Sequence, residues 1–248
     1  MEKVKLVILL VFCIVFTGKA DAGNILSYQT VSMNEKGEWH DILIEYPQVK
    51  VSEKNPDNIK AINRSILEWM EKAIMVKIPE IRVENILDYE DEFKGFLQNS
   101  YIVEFNINLF SENIVSIKFQ RYWYYFGAAH GYSSVRTFNY DPAAGRVIQL
   151  KDIFIEGVNY LDQISEYVVK DLFDQYKKEG SDVQALNTVV KEGAAPRDEN
   201  FDSFGLSKDS LIVYFDDYEV GSYSVGCRTV SIPYSELTGM SPEFMKKI

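Results

Sequence analysis

One stretch limits what this chain can fold into more than any other. Residues 120–150 read QRYWYYFGAAHGYSSVRTFNYDPAAGRVIQL, a strand, a tight Gly-rich turn, a returning strand, a second turn and a third strand. Arg121-Tyr122-Trp123-Tyr124-Tyr125-Phe126 sets bulky residues side by side. Side chains leave a strand on alternate faces, so they cannot all point into one core. Tyr122, Tyr124 and Phe126 are expected on one side, Trp123 and Tyr125 on the other. Each ring can bury about 150–250 Å², so both faces need a cover, either a second layer of the fold or a partner. Gly127 and Gly131 bracket Ala128-Ala129-His130, and small residues there permit a sharp turn. Asp141-Pro142 with Gly145 makes the next turn.

The stretches on either side alternate in kind. Residues 25–33 and 41–49 read as a strand pair around a polar turn at 34–37, with Ile42, Ile44 and Tyr46 on the apolar face and Pro47 marking an edge or strand end. A helix follows, with Asn55 or Asp57 as cap and Pro56 in its first turn. Its stripe is Ile59, Ile62, Ile66, Trp69, Met70 and Ala73, and Pro79 is expected to end it. Residues 80–98, with Glu90-Asp91-Glu92, read as a solvated loop. Val103, Phe105, Ile107 and Leu109, then Val115, Ile117 and Phe119, alternate with polar residues as a hairpin with one dry face.

Beyond the aromatic stretch, Leu161, Ile164, Val168, Leu172 and Tyr176 predict a second helix, with Asp162, Glu166, Lys170 and Asp174 outside and Gly180 at its end. A third, shorter helix spans 181–192 on Val183, Leu186 and Val190. Phe204 and Leu206, then Leu211–Phe215 and Val230–Ile232, read as strands, and the last residues as a frayed end. The pattern of strands, helix, strands, repeated, predicts an α+β fold of antiparallel sheets packed with two or three helices.

The 248 residues are 46% hydrophobic, enough for a sizeable core. The net charge of −11 argues against nucleic-acid binding, which needs a basic footprint, and suits a basic protein partner. Residues 1–22 read as a secretion signal: Lys3 and Lys5, an apolar run at Leu6–Phe16, and Ala20-Asp21-Ala22 before Gly23. That run is too short to span a bilayer, so the mature chain is expected to be secreted or periplasmic, without a membrane span. Cleavage would remove Cys13 and leave Cys227 without a disulfide partner, buried and inert in a loop.

No motif specifies a reaction. A zinc site would need His40, His130 and a carboxylate, with no i,i+4 histidine pair to organise it. His130, Ser133 or Ser134, and Asp141 supply the residue types of a hydrolase triad but not the strand–elbow–helix context that activates a serine. His130 is better read as shaping its turn through nearby backbone. Asp216, Asp217 and Glu219 share one loop and are read as solvated, although paired carboxylates can hydrolyse glycosides. No metal, cofactor or catalytic residue is expected.

The run Tyr125–Gly131, then Phe138-Asn139-Tyr140-Asp141, Gly145 and Leu150–Phe154, resembles the extracytoplasmic domain shared by the RsiV anti-sigma factor and the non-catalytic part of the PdaC polysaccharide deacetylase. Tyr218-Glu219-Val220-Gly221, Tyr223, Gly226, Val230, Ile232-Pro233-Tyr234 and Leu237 extend the likeness, which covers about residues 27–237. The resemblance implies a PdaC-like α+β subdomain at 23–140, an RsiV-like one at 141–240, and a tail at 241–248. In RsiV such a domain binds lysozyme, a basic protein. The cytoplasmic and membrane segments of RsiV and the deacetylase domain of PdaC have no counterpart here, so neither signalling nor deacetylation is carried over. The expected function is non-enzymatic recognition of a lysozyme-like protein or of cell-wall glycan (peptidoglycan). The alternative is a glycan hydrolase working through the loop carboxylates. Tyr and Trp are favoured anchors of binding surfaces, and the expected contacts are Trp123, Tyr125, His130, Tyr132, Tyr218, Glu219 and Tyr223.

Overall fold

The computed structural model describes residues 10–12, 26–50, 56–83 and 98–248. Most of the expected secretion signal, the cap residue Asn55 and the run Glu90-Asp91-Glu92 lie outside them. Within the expected signal, Leu10–Phe12 form a short strand, β1. Among the described residues, no helix is long and apolar enough to cross a membrane. The fold is α+β, and by contact the chain divides into two compact units. One comprises residues up to Phe105 together with Phe119–Tyr132; the other comprises Asn106–Lys118 and Ser133–Ile248.

In the first unit, β1 pairs antiparallel with β2 (Tyr28–Lys36), which pairs antiparallel with β3 (His40–Val49). The turn falls at 37–39, three residues later than the sequence pattern suggests. β3 then runs parallel to the start of β4 (Asn99–Phe110), a pairing that ends at Ile44 and Val103. Pro47 therefore sits where β3 has a neighbour on one side only, so its missing N–H breaks no ladder. The end of β5 (Val115–Tyr124) follows β4 in the sheet order.

Helix α1 (Pro56–Ala73) buries Ile59, Ile62, Ile66 and Met70, as its periodicity demands. Trp69 lies 5.1 Å from the Phe119 ring. Asn63 uses its amide like a strand residue, accepting from Val49 N–H at 2.8 Å and donating to Val49 C=O at 3.0 Å. The helix stops six residues short of Pro79. Its end carbonyls find partners elsewhere: Arg121 donates to Ala73 C=O at 2.9 Å, and Tyr101 Oη to Ile74 C=O at 3.0 Å. A 3-10 turn leads into α2 (Ile78–Ile81), which Pro79 opens rather than terminates.

In the second unit the neighbour order is β4, β5, β6 (Tyr132–Asp141) and β7 (Arg146–Val147). Helix α3 (Tyr160–Lys178) buries Ile164, Val168, Leu172 and Tyr176 and exposes all four predicted outer residues. Helix α4 (Val183–Gly193) is capped by Asp182, whose carboxylate accepts from Gln184 and Ala185 N–H. A second sheet orders β8 (Phe204–Leu206), β9 (Ser210–Phe215) and β10 (Arg228–Pro233) antiparallel, with β9 central. The core gathers α3, β8, β9 and β10 through Val168, Leu172, Leu206, Phe215 and Ile232, all fully buried.

Two expectations change here. The closing residues form a short helix, α5 (Pro242–Met245), docked by buried Phe244 and by Lys247, which donates to Asp141 at 2.6 Å; the end is not frayed. Ser116, expected on the wet face of β5, is fully buried because its hydroxyl donates to Asn139 Oδ1 at 2.7 Å and accepts from Leu206 N–H at 2.9 Å. A buried hydroxyl with both partners carries little penalty.

Candidate functional site

The expected contact residues fall into two groups, one in each unit. In the first unit, β5 ends at Tyr124, so Tyr125 and Phe126 have already left the strand and its alternation no longer governs them. Tyr122 is exposed, against expectation, and its ring lies over Gly131, where a Cβ would sit 2.3 Å from it. His130 Nδ1 donates to Gly131 C=O at 2.8 Å, in keeping with a turn-shaping role.

Trp123 and Tyr132 lie ring to ring at 4.6 Å, and Trp123 has charged neighbours as well. Lys77 Nζ lies 5.0 Å from its ring centre and 5.3 Å from that of Tyr125, while the Arg121 guanidinium lies 5.6 Å from Trp123. Glu80 accepts from Lys77 at 2.5 Å and from Tyr125 Oη at 2.8 Å. Burial works to lower the Lys77 pKa, but Glu80 and Tyr125 outweigh it and raise it. The hydrogen bond from Lys77, backed by Tyr125, lowers that of Glu80. These cation–π contacts cover the rings with the unit's own side chains. Sequence reading missed Lys77, Glu80 and Arg121; an i,i+3 charge pair flanking Pro79 was the available signal.

The second group lies on the loop between β9 and β10. Asp216 and Asp217, expected to be solvated, are 5% and 3% exposed. Asp216 accepts from Val135 N–H at 2.6 Å with one oxygen and from Arg136 at 2.9 Å with the other. Asp217 accepts from Ser133 N–H at 2.7 Å with one oxygen and faces the Cys227 thiol at 3.6 Å with the other. All four oxygens thus hold the loop to β6 and to Cys227, just before β10. Charge-assisted bonds of this kind are what make burying a carboxylate tolerable. Cys227 is only partly buried, its thiol directed at Asp217. Asp141 is likewise engaged, by Ala143 and Ala144 N–H and by Lys247, so it is not free to orient a histidine.

Glu219 accepts from Asp216 N–H at 2.7 Å and closes the turn. Much of this residue is exposed, yet its carboxylate is tucked under the turn. That burial, with repulsion from Asp216 and Asp202, outweighs the Asp216 N–H and Arg136 and raises its pKa. Burial raises the pKa of Asp202 too. Behind the loop, Tyr176 Oη donates to Val220 C=O at 2.7 Å. Gly193 at the end of α4 lets the loop come close: a Cβ there would lie 1.9 Å from Glu219 C=O.

This frame presents Tyr218 and Tyr223. Tyr218 has φ +71°, and among the described residues it alone adopts positive φ without being glycine. That conformation costs a residue with a Cβ about 1–3 kcal/mol and persists only where the surroundings enforce it. The Tyr218 and Tyr223 residues remain 47% and 37% exposed, with ring centres 5.8 Å apart. Exposed Ser222 and Ser224 share a hydrogen bond at 2.9 Å beside them. Among the described residues, no group of His, Cys, Asp and Glu is arranged to hold a metal ion.

Residues 33–133 match the family described as deacetylase PdaC, and residues 151–235 match a protein family of unknown function, DUF3298. The peptidoglycan-N-acetylmuramic acid deacetylase PdaC of Bacillus subtilis (strain 168) is 33% identical over 146 residues. The chain carries a domain shared with PdaC. The match takes in 59% of this chain but only 30% of PdaC. Two solved DUF3298 structures share the fold. One, from Bacteroides fragilis NCTC 9343, superposes with a TM-score of 0.58 at 17% identity, covering 90% of this chain and 96% of that one. The other, from Pseudomonas aeruginosa PAO1, gives 0.55 at 16% identity and covers 97% of each chain.

Proposed function

We propose that this PdaC-like chain is an exported, non-enzymatic recognition domain that grips cell-wall glycan through the Tyr218–Tyr223 loop. The observation that carries the reading is Tyr218: an aromatic side chain held outward on a strained backbone by a buried carboxylate frame. Strain of this sort is retained where presentation of the side chain matters. Tyrosine rings offer sugar a flat apolar surface and a polar edge, and Ser222 and Ser224 add hydroxyls beside them. The relationship to a peptidoglycan deacetylase supports a wall ligand.

Hydrolysis by the loop carboxylates is the weaker alternative. A glycosidase needs one carboxyl as acid and a second as base or nucleophile. Asp216 and Asp217 are committed to backbone, Arg136 and Cys227, which leaves Glu219 without an available partner on its loop.

A second reading, a basic lysozyme-like protein as ligand, is favoured by the net charge of −11. Attraction of that origin weakens with salt. Co-sedimentation with purified peptidoglycan and pull-down with lysozyme, each at low and high salt, separate the two. The glycan reading expects salt-tolerant sedimentation that Tyr218→Ala weakens about tenfold. Binding to neither ligand at low salt would overturn both, and wall degradation lost in Glu219→Gln would restore the hydrolase.

A further inference from the structure

A cleft in the second unit lies apart from the tyrosine loop in sequence and uses none of its residues. It is a small cleft of about 70 Å³, open to solvent. Its walls come from the β6–β7 turn, the 3-10 turn after β7 and the C-terminal helix α5. Ile148 and Phe244 give it an apolar side. The rest is charge of both signs: Arg146 and Lys247 against Asp141, Asp152 and Glu243.

Each ion pair leaves capacity unused. Arg146 Nη1 donates to Asp152 at 2.6 Å, and its Nη2 and Nε make no other hydrogen bond among the described residues. Its side chain is 56% exposed, so the free edge of the guanidinium fork can meet a solute. Lys247 donates to Asp141 at 2.6 Å and loosely to Glu243 at 3.4 Å, leaving a third N–H. Asp152 accepts Arg146 and Gln149 N–H through one oxygen, and its other oxygen is open. Glu243 is 83% exposed and held only by that long contact. Ser241 Oγ accepts from Phe244 N–H, and its own proton is unassigned to any acceptor.

We propose that this cleft binds a small zwitterion of the amino-acid or peptide-terminus class. Its carboxylate would lie on the Arg146 fork and Lys247, the geometry in which a guanidinium binds carboxylate best. Its ammonium would lie against Glu243 and the open oxygen of Asp152. A simple anion would meet three carboxylates, and a simple cation would meet Arg146 and Lys247, so a ligand of one sign is repelled from one wall. The open shape and small size suit a single terminus rather than a polymer.

The test is a titration of the full chain with glycylglycine, followed by calorimetry and by NMR shifts of residues 141–152 and 241–248. Millimolar, saturable binding is expected for so small a ligand. N-acetyl-glycylglycine and glycylglycinamide, each lacking one charge, should bind at least about tenfold more weakly. Arg146→Ala, at an exposed position, should lose binding without loss of fold, and Glu243→Gln should weaken the zwitterion alone. Tyr218→Ala should leave this binding untouched, so failure of the loop reading and failure of the cleft are told apart. Equal binding of all three peptides, unchanged binding by Arg146→Ala, or no saturable binding would overturn the proposal.

Discussion

The two aromatic groups of this protein have similar composition and opposite situations. Around Trp123 and Tyr125, the rings are covered by Lys77, Arg121 and Tyr132, and the Tyr125 hydroxyl is engaged by Glu80. Around Tyr218 and Tyr223, the backbone beneath is fixed by buried acids while the two residues remain partly exposed. The difference lies in what each group's charges touch. In the first unit, charged side chains lie against the rings; in the second, they bond to backbone below, and Tyr218 and Tyr223 stay partly exposed. Tyrosine content alone therefore does not tell the two groups apart, whereas a residue held on a strained backbone does.

Removing the foundation of the open group should have the largest effect. Asp216→Ala deletes a buried carboxylate that serves Val135 N–H and Arg136, and it should lower stability by about 3 kcal/mol in urea titrations. A loss under 1 kcal/mol would mean that the loop does not depend on this anchor. Trp123→Ala comes next. As a half-buried ring packed against cations and Tyr132, it should cost about 2 kcal/mol of stability while leaving ligand binding by the loop intact. Loss of binding with stability preserved would exchange the roles of the two groups.

Tyr218→Gly should act in the opposite sense. Glycine adopts φ +71° freely, so stability should hold or rise by up to about 1 kcal/mol, while binding falls. The smallest effect is on pH dependence, where the units again diverge. Glu35 in the first unit is held by Arg82 through two bonds, 2.7 and 2.5 Å, with His40 at 3.0 Å. The Arg82 hydrogen bonds lower its pKa. Its stabilisation is complete above the ordinary carboxylate value and is lost as pH falls through the lowered one. Glu219, with a raised pKa, works the other way: its folded form prefers the proton, so stability is gained as pH falls from the raised value toward the ordinary one. Glu35→Gln should remove the acid-side loss, and Glu219→Gln should flatten the shallow gain above it, both read from stability measured across mildly acid pH.

Much of the fold could be read from residue patterns. The α3 stripe is legible because Ile164, Val168, Leu172 and Tyr176 recur at helical spacing and face one core while Asp162, Glu166, Lys170 and Asp174 stay outside; Leu161, expected with them, is only partly buried. The end of α1 was not legible from local pattern. Proline marks where a helix must stop, but Arg121 and Tyr101, far along the chain, supply the partners that let it stop earlier. The acidic loop failed for a related reason. Adjacent carboxylates look solvated until the N–H groups of Ser133 and Val135, more than 80 residues away, take them up. The aromatic run showed that a cover was needed without showing that Lys77 and Arg121 provide it. Composition makes Tyr218 and Tyr223 candidates, but the strain at Tyr218 has no sequence signature, since a tyrosine before a glutamate carries no preference for that backbone.

The most direct test compares Tyr218→Gly with the unaltered chain in two assays, unfolding in urea and co-sedimentation with purified cell-wall glycan. The account expects equal or greater stability together with at least about a tenfold loss of binding. Unchanged binding at unchanged stability would contradict it, because the strained backbone would then be presenting nothing.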